Sequence, residues 1–231
     1  MRIGGLQKLT LIDYPGKVAA TVFLFGCNFR CPYCHNPELV YSKSGEGQVQ
    51  IKESDFFKFL KERTGFLDGI CITGGEPTIH SDLPKFIRKI KEIGFSIKLD
   101  TNGSNPDMLK DLIVNNLVDF IAMDIKTSIL KYKKFGAGYE ISQIQKSVNI
   151  IWDSDRDYEF RTTVVPEIVD EKDIEEIGQW LKGSKKIVLQ QFRPEKVLDL
   201  SFQNIKPYSL QELEKMVKIL ELHIEEVELR A

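Results

Sequence analysis

The sequence predicts an α/β fold in which a parallel sheet is covered by helices, and three observations predict it. Six short runs rich in Val, Ile, Phe or Thr recur along the chain, at 18–25, 69–73, 96–100, 120–125, 159–165 and 186–192. Helical patterns separate them, so the connections read as right-handed crossovers between parallel strands. Polar or glycine-rich residues sit at the end of each run, and in parallel α/β folds chemistry collects at the carboxyl ends of the strands. Periodicity leaves two architectures open, a doubly wound sheet and an incomplete TIM-like barrel.

Each element has its own local reason. The strand runs have the length and composition of strands buried on both faces. The first helix opens at Ser54 or Asp55, either of which suits an N-cap. The next opens at Ser81-Asp82-Leu83-Pro84, where proline is tolerated in the first turn, and Gly94 suits its end. Further helices are expected over 106–115, 141–152, 170–182 and 209–222. Glycine and proline fall singly at element ends and nothing reads as an interdomain linker, so 1–231 is expected to form one domain.

Composition narrows the function. A chain of 231 residues can bury a full core without disulfide or metal staples. Lys and Arg number 32 against 34 Asp and Glu, a net charge of −2, which argues against nucleic acid or anionic membrane as the main partner. The N-terminus lacks the apolar core of a signal peptide. The longest apolar run, 18–25, is broken by Thr21 and is too short for a bilayer. The expectation is a cytoplasmic protein with reduced thiols.

The strand ends carry the chemistry. Cys27, Cys31 and Cys34 follow the first run, Gly74-Gly75-Glu76-Pro77 the second, and Asp100-Thr101-Asn102-Gly103 the third. Asp124-Ile125-Lys126 ends the fourth, Arg161 lies in the fifth, and Gln190-Gln191-Phe192-Arg193-Pro194 ends the sixth. Three thiolates within eight residues can curl around one compact metal centre. They are one short of a closed structural zinc site, whereas on a four-iron cubane cluster they leave one iron open. A zinc site completed by His35 and three buried thiols without metal are the competing readings. Cys71 lies in an apolar strand, Ile70-Cys71-Ile72, and reads as a small buried hydrophobe.

The segment Gly26-Cys27-Asn28-Phe29-Arg30-Cys31-Pro32-Tyr33-Cys34-His35-Asn36 resembles the signature of radical S-adenosylmethionine (SAM) enzymes. Together with Gly74-Gly75-Glu76-Pro77 and Asp13-Tyr14-Pro15-Gly16 it resembles the activating enzymes of glycyl radical enzymes. The nearest resemblance is to the longer-form activating proteins of anaerobic ribonucleoside-triphosphate reductase. That resemblance implies a partial (β/α)6 TIM-like barrel with outer helices, and settles the architecture that periodicity left open. It implies that Cys27, Cys31 and Cys34 hold a [4Fe-4S] cluster. Around SAM it places Tyr33, Cys34 and His35 on the adenine side and Gly74, Gly75 and Glu76 near the methionine ammonium. Thr101, Asn102, Asp124, Lys126, Arg161 and Gln191 complete that pocket. Asp100 and Asp124 are expected to offer oxygens to a monovalent cation near the SAM carboxylate. Tyr33 as plain core and Lys126 as a solvated surface lysine are the competing readings of those two residues.

The same resemblance implies a mechanism: the reduced cluster passes one electron to SAM, methionine leaves, and the 5′-deoxyadenosyl radical takes a hydrogen from a glycine of a partner enzyme. A flavodoxin or ferredoxin would supply the electron. Residues 1–17 form an N-terminal extension on the substrate side, with Asp13 and Arg193 as substrate-binding candidates. Here the sequence departs from relatives acting on pyruvate formate-lyase, which have a glycine in place of Tyr14 and a histidine near the last strand. Two alternatives stand beside this reading: a radical enzyme acting on a small molecule, such as 7-carboxy-7-deazaguanine synthase, and a non-catalytic metal-binding module.

Overall fold

Alternation along the strands decides how the sheet is covered. In the computed structural model, which describes residues 1–41, 50–135 and 140–231, one eight-stranded sheet runs in the order β1 to β8 without permutation. The six predicted runs become β2 (Ala19–Leu24), β3 (Gly69–Gly74), β4 (Ser96–Thr101), β5 (Phe120–Asp124), β6 (Asp157–Val164) and β7 (Lys186–Gln191). These six pair in parallel with one another in chain order. Two strands extend the sheet beyond the expectation. β1 (Ile3–Thr10) pairs antiparallel with β2, and β8 (Glu226–Arg230) pairs parallel with β7. Eight residues of the expected N-terminal extension are therefore an edge strand of the same sheet.

The short α1 (Pro37–Val40) follows the cysteine loop. Then α2 (Glu53–Glu62), α3 (Leu83–Ile93), α4 (Pro106–Val114), α5 (Ile141–Trp152), α6 (Glu171–Trp180) and α7 (Leu210–Leu220) make the six crossovers. Gly94 ends α3 at φ +110°, the left-handed conformation that glycine adopts without penalty. Asp170 with Asp173 and Ser209 with Glu212 form reciprocal capping boxes that start α6 and α7. The first helix begins at Glu53, capped by the backbone of Lys52 rather than by Ser54 or Asp55.

Successive strand residues face opposite ways. Ile70 and Ile72, Ile97 and Leu99, and Ile187 and Leu189 are fully buried in the apolar core, with Leu83, Phe86, Ile87 and Ile90 of α3 in the same core. Burying each such side chain contributes roughly 1.5–3 kcal/mol. The intervening positions are Cys71, Thr73, Lys98, Asp100, Glu159, Arg161 and Gln190, so the concave face of the sheet is polar. β1 and β8 do not pair with each other, which leaves the barrel open along one side.

Candidate functional site

The cysteine loop is tied down at its stem and on both flanks. Gly26 N donates to Leu39 O at 2.7 Å and Cys27 N to Val40 O at 3.1 Å, fastening the loop to α1. Arg30 Nη1 donates to Cys27 O at 2.7 Å and to Phe29 O at 2.8 Å. Asn28 Nδ2 donates to Ser104 Oγ at 2.7 Å, and Asn102 Nδ2 to Asn28 Oδ1 at 2.9 Å. On the other flank His35 Nε2 lies 3.0 Å from Arg193 O. A carbonyl only accepts, so Nε2 carries the proton.

Cys27, Cys31, Cys34, Tyr33 and His35 line one cavity of about 250 Å³ with Gly74, Gly75, Glu76, Thr101, Asn102, Asp124, Lys126 and Arg161. All four cysteines are free of disulfides. Burial pushes the Cys27 thiol up to about 12 and the Cys31 thiol up to about 11; burial raises Cys34 as well. Thiols that resist ionisation this strongly lose their protons when a metal takes the proton's place. Among the described residues no three such donors are gathered closely enough to hold a single metal ion; three cysteines of one short loop beside a cavity, with room for backbone approach, fit the wider span of an iron–sulfur cluster with a bound cofactor.

The two glycines have a structural reason that their motif did not reveal. Gly75 passes so close to the end of β2 that a Cβ there would lie 1.9 Å from Gly26 O. Gly74 adopts φ +113°, and a Cβ on it would lie 2.4 Å from Leu24 N. Glu76, 1 % exposed, accepts from Thr78 N, Thr78 Oγ1, Thr101 Oγ1 and Asn102 N at 2.5–3.0 Å. Burial raises its pKa while these donors pull it down, and burial prevails. The carboxylate thereby clasps the ends of β3 and β4 together.

Charged residues form the cavity's far wall. Lys126 Nζ donates to Asp124 Oδ2 at 2.8 Å, Arg161 Nε to Asp124 Oδ1 at 2.8 Å, and Arg161 Nη1 to Asp100 Oδ2 at 3.2 Å. Lys98 Nζ donates to Asp100 Oδ1. Burial opposes ionisation of Asp124, but Arg161 and Lys126 outweigh it and hold the pKa at about 2. Burial likewise opposes ionisation of Asp100, and Arg161 and Lys98 bring it below the usual range. All four carboxylate oxygens thus accept from cationic side chains, each with a second lone pair to offer.

Three expected site residues lie elsewhere. Gln190, not Gln191, lines the cavity, because the odd-numbered β7 residues Ile187 and Leu189 face the core. Gln191 Nε2 instead donates to Tyr208 O at 3.0 Å. Arg193 is exposed and meets the site only through its carbonyl. Asp13 accepts from Thr21 Oγ1 at 2.5 Å and lines a second cavity of about 560 Å³, beside the first residues of β2, where Thr10 pairs with Ala19. That cavity has Ile12 and Asp13 on one side and Glu228 and Arg230 of β8 on the other, and it shares Asp100, Arg161 and Gln190 with the first. The sequence reading passed over Lys98 and Asn28. Lys98 was accessible from strand parity, two residues before Asp100, whereas nothing local marks Asn28 as the partner of Asn102.

Comparison with known proteins gives concordant results. The model of the radical SAM superfamily matches residues 21–181. A Methanocaldococcus jannaschii protein provisionally named a glycyl-radical enzyme activating enzyme is 37% identical over 234 residues, covering 99% of this chain and 95% of that one. The 7-carboxy-7-deazaguanine synthase of Aquifex aeolicus is 38% identical, but over 89 residues, 38% of each chain. Among solved structures, Streptococcus suis SuiB bound to S-adenosylmethionine superposes with a TM-score of 0.66 at 14% identity. It covers 90% of this chain and 49% of SuiB, a likeness of fold alone.

Proposed function

Because the chain belongs to the radical SAM superfamily, among its glycyl-radical enzyme activating enzymes, we propose that it activates anaerobic ribonucleoside-triphosphate reductase by generating a glycyl radical on it. When bound, a cluster held by Cys27, Cys31 and Cys34 would supply one electron to SAM, and SAM would supply the group that removes the glycine hydrogen, with methionine and 5′-deoxyadenosine as products. The observation that carries this reading is the meeting of three cysteine thiols, the Gly74-Gly75 backbone and the Arg161–Asp124–Lys126 wall in one cavity.

Cys27, Cys31 and Cys34 hold the cluster. Tyr33 and His35 flank the adenine, whose π-face suits an aromatic neighbour. The Gly74-Gly75 segment, shaped by Glu76, faces the methionine ammonium, with Thr101 and Asn102 beside it. Lys126 and Arg161 face the carboxylate, because charge-assisted hydrogen bonds are the strong ones. Gln190 takes the place first expected of Gln191. A monovalent cation near the SAM carboxylate would take oxygens of Asp100 and Asp124 beside Arg161, which bridges the two.

The partner's glycine loop enters through the open side. Asp13 has no ion-pair partner among the described residues and accepts one hydroxyl, so its carboxylate is available to N–H groups of an incoming peptide. Leu11 and Ile12 beside it are exposed, as apolar contacts of a docking surface are. The exposed Arg193 stands at the other end of the barrel, past the end of β7 and beside His35 of the cysteine loop. A flavodoxin or ferredoxin supplies the electron. Among the described residues no helix is long and apolar enough to cross a membrane.

The test is anaerobic reconstitution followed by incubation with SAM and reductant. Four irons per chain and release of 5′-deoxyadenosine are expected, with a glycyl radical detected by electron paramagnetic resonance on co-expressed reductase. One zinc per chain would contradict the reading. A small-molecule substrate is the weaker reading, since the likenesses to deazaguanine synthases cover 38% and 49% of the chain, against 99% for the activating-enzyme relative.

A further inference from the structure

Lys98 is a buried lysine that the reaction itself does not call for. It is 2 % exposed, and among the described residues its only ion pair is with Asp100. It lies 3.9 Å from Cys71 Sγ and 5.9 Å from the centre of the Phe120 ring. Asp100 and Arg161 line both cavities, whereas Lys98 lines only the second. The side chains Lys98, Asp100, Arg161, Asp124 and Lys126 therefore form one alternating row, with its far end outside the cofactor cavity.

We infer that Lys98 is a positioning residue for the cofactor, acting through Asp100 on Arg161 and Lys126; this rests on the proposed SAM site. Two effects follow from the row. Lys98 occupies Asp100 Oδ1, so Arg161 reaches Asp100 through Nη1 alone and keeps Nε for Asp124. Without Lys98, Asp100 would take the guanidinium with both oxygens, the preferred fork geometry, and draw Arg161 away from Asp124. The row also holds three cations against two carboxylates, an excess of one positive charge along the wall that faces the ligand's carboxylate group. Removal of Lys98 leaves none.

The experiment uses the anaerobically reconstituted enzyme and calorimetric titration with SAM. Lys98→Met should bind SAM about tenfold more weakly with parental iron content, and Lys98→Arg should recover most of that loss. Affinity for 5′-deoxyadenosine, which has no carboxylate, should not change; damage to packing alone would weaken both ligands. In an Asp100→Asn background, Lys98→Met should add little, because both act along one path. If Lys98→Met does not fold, Lys98→Gln replaces it in the same cycle. Parental SAM affinity in the Lys98 variant, equal loss for both ligands, or losses that multiply with Asp100→Asn would overturn the inference. A parent enzyme that takes up iron yet does not bind SAM overturns the functional reading first, and this one with it.

Discussion

Arg161 holds Asp124 and Asp100 at once, through Nε at 2.8 Å and Nη1 at 3.2 Å, and so joins three adjacent strands with one side chain. Asp100 sits on β4, Asp124 on β5 and Arg161 on β6. The guanidinium fork is suited to such a bridge in a way that a lysine ammonium is not. The wall it makes is rigid where a cofactor carboxylate would meet it.

Lys126→Ala should weaken SAM binding by about one to two decades, the loss of one charge-assisted hydrogen bond of roughly 1.5–3 kcal/mol. Iron content and fold should be unchanged. Anaerobic calorimetry checks it, and parental affinity would mean that Lys126 serves only Asp124.

Alanine at Cys27, Cys31 or Cys34 should abolish cluster binding, whereas Cys71→Ala should retain it. The three loop cysteines line the cavity. Cys71 is fully buried in β3, outside that lining. Iron and acid-labile sulfide per chain decide the matter. Iron surviving the loss of Cys31 would be incompatible with the ligand assignment.

Gly75→Ala should lower stability by roughly 1–3 kcal/mol, the usual penalty of forcing atoms into a filled space. Its Cβ would meet the Gly26 carbonyl at 1.9 Å, a backbone atom that cannot step aside. Gly5→Ala, whose nearest contact would be 3.4 Å, should change stability by no more than about 0.5 kcal/mol. Thermal unfolding of both variants checks the contrast. Equal melting temperatures would mean that the β2 end yields.

Acid should loosen the charged wall as its aspartates take up protons. The folded pKa of Asp124, about 2, lies below the ordinary aspartate value near 3.9. The stabilisation is therefore complete above about pH 4 and is lost as pH falls through about 2. Asp100 shifts in the same direction. The melting temperature of Asp124→Asn should fall less steeply than the parent's between pH 4 and pH 2. Parallel acid limbs would contradict it.

Much of this was legible because βα alternation and the cysteine spacing are strong local signals. β8 was not, since Glu-Val-Glu-Leu-Arg is short, charged and composed partly of good helix formers. β1 escaped because Gly4 and Gly5 interrupt a half-polar run. The parity of β7 was hidden for a related reason: Ile187, Val188 and Leu189 are apolar on both faces, so nothing local says which glutamine turns inward. The Gly75 contact with Gly26 and the Asn28–Asn102 pair depend on loops meeting in space, which spacing along the chain does not encode.

The unpaired edges bear on self-association. A barrel that stops short of closure presents two rows of backbone amides and carbonyls, each a template for another chain. Both edges carry features that discourage such growth. β8 alternates the charged Glu226, Glu228 and Arg230 with its apolar residues, and charged side chains on an edge strand disfavour pairing with another chain. β1 is irregular, with register shifts between Ile3 and Gly5 and between Gln7 and Thr10, and Ile51 N already takes the Ile3 carbonyl. Replacing the charges of β8 with threonine would keep a good strand while removing its protection against filaments, and would turn an enzyme with an open flank into an aggregation-prone one.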